Sequence, residues 1–190
     1  MWNKLAKMPI TMTIIFVWIV IWALVKVGNA LPALTGKGFS QIGNQYYRFV
    51  TAGLTHVHGL HLIANVCAMF WLGYLYEEHM GNVKFLLVGV VCAVVCQVIF
   101  LAIYHNSTGS YGGSTYNFAL CGFGLAMQFL SPGFPRIALG TWSGNWLAVY
   151  MVVGNIPLMS FMNLTTLIVH AIAFAIGVVA ALVFHFCGIK

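Results

Sequence analysis

The sequence predicts an all-α, polytopic membrane protein, and three observations carry that prediction. The 190 residues are 62% hydrophobic and only 5% charged, where a soluble domain carries about 25% charged residues. Mean hydropathy is +0.96. The apolar residues also gather into runs of membrane-crossing length, separated by Gly, Pro, Asn and charge clusters.

Six transmembrane helices are expected, at roughly 10–27, 61–76, 83–104, 114–131, 137–154 and 163–186. They leave room for a single domain, residues 1–190, with short loops. The first span follows Lys4 and Lys7. It is read as a retained helix, because "ITMTIIFVWIVIWALV" is as long as a signal core gets and no small-residue cleavage site follows. The outer loop, about 28–60, contains "NALPALTGKGFSQIGNQYYRFV", too polar and broken to span, and is expected to lie partly helical at the membrane surface. The second span opens "HGLHLIAN", the fourth follows "YGG", and the sixth reads "NLTTLIVHAIAFAIGVVAALVF". In the fifth, Gly140, Ser143, Gly144 and Asn145 make part of the span small and polar, a pattern read as a loosely packed lateral gate.

The net charge of +6 comes from Lys and Arg scattered singly between apolar runs, a topology signal and not a nucleic-acid surface. With the N-terminus cytoplasmic, Lys4, Lys7, Lys84, Arg136 and Lys190 lie inside, Lys26, Lys37 and Arg48 lie outside, and the C-terminus returns to the cytoplasm. The five cysteines fall in or beside apolar segments with no CxxC pair; they are read as packing residues, without a disulfide framework. No internal repeat is visible, which counts against transporter folds built on repeats.

Polar side chains inside a bilayer are costly and mark function. His61 and Asn65 stand at i and i+4 on one face of the second span; Ser114 opens the fourth; His170 lies near the start of the sixth. Counted from the inner ends of their helices, His61, Ser114 and His170 all climb about 25 Å, so three helices converge at one depth. A serine beside a histidine there is the minimal apparatus for nucleophilic catalysis. The chain has no Asp, and its two carboxylates, Glu77 and Glu78, sit together at the inner end of the second span. A serine mechanism must therefore be a Ser114/His170 dyad, while two-Asp and HExxH proteases are excluded.

The oxyanion needs donors. Asn65, His61 and the Ser114 amide at a helix N-terminus supply them, and Gly112 and Gly113 let the chain turn tightly into that helix. The histidines of "HVHGLH" invite a metal reading, set aside because no Cys or carboxylate lies nearby.

The residues resemble the rhomboid intramembrane serine proteases, in order and over about residues 47–180. Tyr47-Arg48 resembles that family's aromatic-Arg pair, "HLIAN" its His-x-x-x-Asn, Glu77 to Gly81 its Glu-x-x-x-Gly, "GGS" its Gly-x-Ser, and His170 with Gly177 its last helix. The resemblance implies Ser114 as nucleophile, His170 as base, His61 and Asn65 as oxyanion donors, Gly112 in the turn, and Phe118 packed on the catalytic histidine. It implies transmembrane proteins as substrates, entry through the fifth span, and no metal or organic cofactor. Two positions depart from the family: Thr115 and Ala173 stand where it has Gly. Thr115 is expected to crowd the fourth helix against the sixth and widen the Ser/His distance. A catalytically inactive relative that binds transmembrane helices is the runner-up, and a metal or proton carrier using the histidines a third reading. The short loops place the protein in a bacterial cytoplasmic membrane.

Overall fold

The computed structural model describes residues 2–156 and 164–189. Its long helices are α1 (Pro9–Gly28), α2 (Gly59–Met80), α3 (Asn82–Ile103), α4 (Ser114–Leu130), α5 (Trp142–Val153) and α6 (Leu164–Phe186). The protein is all-α and embedded in the membrane: α1, α2, α3 and α6 are each long and apolar enough to cross a bilayer. Helices α4 and α5 have 17 and 12 residues, about 26 and 18 Å at the helical rise.

Helix α4 is the axis of the bundle. Every residue from Ser114 to Gly124 is buried, as expected of a helix that is apolar all round. Its close neighbours meet it through glycines. A side chain on Gly177 of α6 would run into the Ala119 carbonyl, and one on Gly122 into the backbone of Phe174, so α4 and α6 touch backbone to backbone. Gly89 of α3 likewise makes room for the ring of Tyr116, and Gly124 for the hydroxyl of Tyr76 on α2.

At the C-terminal end of α2, one carboxylate joins this helix to the start of α1. Glu77 is fully buried, and its oxygens accept from Ile10 N (2.7 Å), Thr11 N (2.8 Å) and Thr11 Oγ1 (2.5 Å). Two of the donors are unpaired amides of the first turn of α1 and the third is the Thr11 hydroxyl, so the carboxyl group satisfies a helix N-terminus and is satisfied by it. Glu78 turns outward to Lys4 and Lys7. Gly81, at φ +80, ends α2 and starts α3 with no intervening loop.

The segment between α1 and α2 is partly helical, with turns at Leu31–Leu34, Arg48–Thr51 and Ala52–Leu54. Buried Arg48 staples it, donating from Nη1 to the carbonyls of Pro32 and Thr35, each at 2.8 Å, and from Nε to Gln45 Oε1 at 2.6 Å. Gly36 and Ser110 exchange backbone hydrogen bonds of 2.8 and 2.9 Å, tying this segment to the strand-like approach to α4.

The expected span 137–154 is corrected: α5 starts at Trp142. Ile137, Ala138 and Leu139 are apolar but not helical. Gly140 takes φ +90 and donates its amide to Asn145 Oδ1, and Thr141 then caps the helix by accepting from Gly144 N at 3.0 Å. Local capping chemistry outweighs hydropathy at this end.

Candidate active site

The approach to α4 explains its two glycines separately. Gly112 has φ +127, and a Cβ there would stand 2.7 Å from His61 Cε1; backbone strain and steric overlap both demand glycine. Gly113 has ordinary helical angles. Its requirement is space, since a side chain would enter the indole of Trp18. The Gly112 amide donates to Ala52 O and the Gly113 amide to His56 Nε2 at 3.2 Å. Among the described residues neither amide is left for a ligand, and the next one, on Ser114, has no acceptor.

His56 precedes α2 and is fully buried. Burial, with His61 nearby, lowers its pKa to about 3. It is therefore neutral and keeps the lone pair that receives Gly113 N. Its ring meets Trp18 edge-on at 5.2 Å.

Four helices supply the walls of a cavity of about 370 Å³. Ser114 heads α4, His61 and Asn65 come from the first turns of α2, His170 from α6, and Tyr150 from α5; all five line it. Ser110, Tyr111 and Trp146 complete the rim. Ser114 and His170 are only 6% and 5% exposed. They face the same space without a hydrogen bond between them, a loose arrangement common before a substrate seats.

The His170 ring is held from two sides. Phe118, one turn past Ser114, stacks on it at 4.1 Å between centroids and 12° between planes. Asn155 Oδ1 lies 3.0 Å from its Nδ1.

Asn65 is oriented by partners absent from the sequence reading. Its Oδ1 accepts from Tyr150 Oη at 2.8 Å and Asn117 Nδ2 at 3.1 Å, while its Nδ2 donates to His61 O at 2.8 Å. With the oxygen doubly engaged, the amide is turned one way and its second N–H remains. Asn117 carried a signal: it is a polar residue one turn beyond Ser114 in an apolar span. Tyr150 is buried, and its place beside Asn65 depends on how α5 packs on α2. Asn155 follows the last predicted residue of its span and drew no notice.

Thr115, one turn before Ala119, is buried. Its hydroxyl is 4.0 Å from the position a Cβ on Gly53 would take, facing the turn Ala52–Leu54. The tight α4–α6 approach lies further along, at Ala119, Gly122 and Gly177. Among the described residues, no group of three His, Cys or carboxylate side chains is placed to hold a metal ion.

Comparison with known proteins gives the family. The rhomboid protease GlpG of Photorhabdus laumondii is 28% identical over 97 residues, which cover 49% of this chain and 34% of that protein. The chain thus matches about a third of that relative's length. The family model for the Rhomboid domain matches residues 43–187, from the loop before α2 to the end of α6. The chain belongs to the rhomboid family.

Proposed function

We propose that this chain is an intramembrane serine endopeptidase that cleaves transmembrane segments of other membrane proteins near their outer ends. The observation that carries the reading is the convergence of Ser114, His170, His61 and Asn65, from three helices, on one cavity. In this reading His170 takes the Ser114 hydroxyl proton as Oγ attacks the scissile carbonyl, then passes it to the leaving amine. The oxyanion is met by the Ser114 amide, the remaining N–H of Asn65 and the His61 ring. Water then hydrolyses the acyl-enzyme, His170 acting again as base.

The bundle would cross the membrane six times. Helix α4 can be short because protein encloses it, and its recessed start would put Ser114 in a water-reachable hollow below the outer surface. Helix α5, short and started by small polar residues, would be the gate for a substrate helix. Both termini would face the cytoplasm of a bacterial cell.

Detergent-purified protein incubated with a single-span substrate tests this. Wild type should cleave, and Ser114→Ala and His170→Ala should abolish both cleavage and labelling by a fluorophosphonate. The alternative of an inactive helix-binding relative draws on the unformed Ser114–His170 bond. It predicts no Ser114-dependent labelling at all.

A further inference from the structure

We propose that Asn155 is the third member of the catalytic set, a positioning residue that fixes the tautomer and orientation of His170; the inference rests on the protease reading above. The chain has no Asp, and Glu77 is held by α1 at the far end of α2. A carboxylate behind the base is therefore missing. The structure puts a carboxamide in that place.

The direction of the hydrogen bond can be read from the other end of the Asn155 side chain. Nδ2 donates to Met151 O at 2.6 Å, one turn back in α5. The atom facing His170 is then the oxygen, an acceptor, at 3.0 Å from Nδ1. An acceptor requires Nδ1 to carry its proton. The neutral imidazole so held has its lone pair on Nε2, the nitrogen a serine hydroxyl needs. Asn155 thus holds the ring from the α5 side while Phe118 supports its face.

This arrangement also ties base to gate. Asn155 sits in the turn that ends α5, and Tyr150, one turn earlier, holds Asn65. Helix α5 thereby orients both the base and an oxyanion donor. Displacing it to admit a substrate would loosen the site, and its return would restore the geometry.

The groups facing His170 are simple: His61 from α2, Tyr150 and Asn155 from the α5 side, Ser114 and Phe118 from α4, and Cys96 of α3, whose Sγ donates to Val169 O at 3.4 Å. Among the described residues none is a carboxylate, so an Asp at position 155 would be the first anionic group beside the ring.

The test combines kinetics with imidazole 15N NMR, the His170 signal being assigned by its loss in His170→Gln. Wild type should show a single neutral tautomer with Nε2 unprotonated. Asn155→Ala should lower kcat about tenfold at unchanged KM and bring in the other tautomer, the stacked Phe118 ring retaining part of the hold. Asn155→Asp, which keeps an acceptor, should restore kcat and move the acid limb of the pH profile upward, because a carboxylate stabilises the imidazolium. Wild-type kcat and an unchanged tautomer in Asn155→Ala, with Ser114→Ala inactive, would overturn the inference alone. If wild type itself showed no Ser114-dependent cleavage, the protease reading would fall and the catalytic role of Asn155 with it.

Discussion

Gly112 and His56 show how much of the site is settled by single atoms. Replacing Gly112 by Ala imposes a left-handed backbone on a Cβ and pushes His61, a strain of about 1–3 kcal/mol. Gly112→Ala should lower the melting temperature in detergent and reduce kcat by more than the stability loss explains, since His61 lines the reacting cavity. Asn65→Ala should reduce kcat by about a hundredfold with little change in KM, as removal of an oxyanion donor does elsewhere. For His56 the sign follows from linkage. Its folded pKa of about 3 lies below the ordinary histidine value of 6.5, so between those values the unfolded chain binds the extra proton and stability falls as pH drops. Thermal scans from pH 7 to 4 should show that loss, and His56→Gln should flatten it.

Among the elements, the α4–α6 seam positions Ser114 against His170. Its glycines admit no larger group, because the neighbours are backbone and cannot rotate away. Gly177→Val should force the helices apart, cost at least about 2 kcal/mol by overpacking, and abolish cleavage although no reacting group has changed. The α1–α2 join offers the opposite case. Glu77→Ala would strand three buried donors far from the cavity, at about 1–3 kcal/mol each. It should lower thermal stability strongly while the surviving folded fraction keeps its fluorophosphonate labelling.

At the scale of the molecule, α5 reaches the site with only 12 residues and starts on a Thr141 cap. Its polar contacts run inward, to Asn65 and His170, and Trp142 and Val152 face outward. A crosslink tying α5 to α2 should block cleavage of a single-span substrate while small fluorophosphonates still label Ser114. Unchanged cleavage in the crosslinked protein would exclude α5 as the entrance.

Composition and spacing alone determined the solvent, the helical class and the residues worth watching. A chain with two carboxylates and long apolar runs has few choices in a bilayer, and any polar group inside a span declares itself by its cost. Ser114, His61, Asn65 and His170 were legible for that reason, and helical rise placed three of them at one depth. Helix ends were less legible: apolar Ile137 to Leu139 mimic a span, and only the Gly140 turn and the Thr141 cap reveal its true start. Wholly out of reach were the contacts between distant residues. That Tyr150 orients Asn65, that His56 receives Gly113, and that Asn155 faces His170 depends on how α2, α4, α5 and α6 are rotated against one another. Periodicity gives each helix a face, but the pairing of faces comes from backbone-to-backbone packing at small residues, a three-dimensional fit that one-dimensional spacing does not contain.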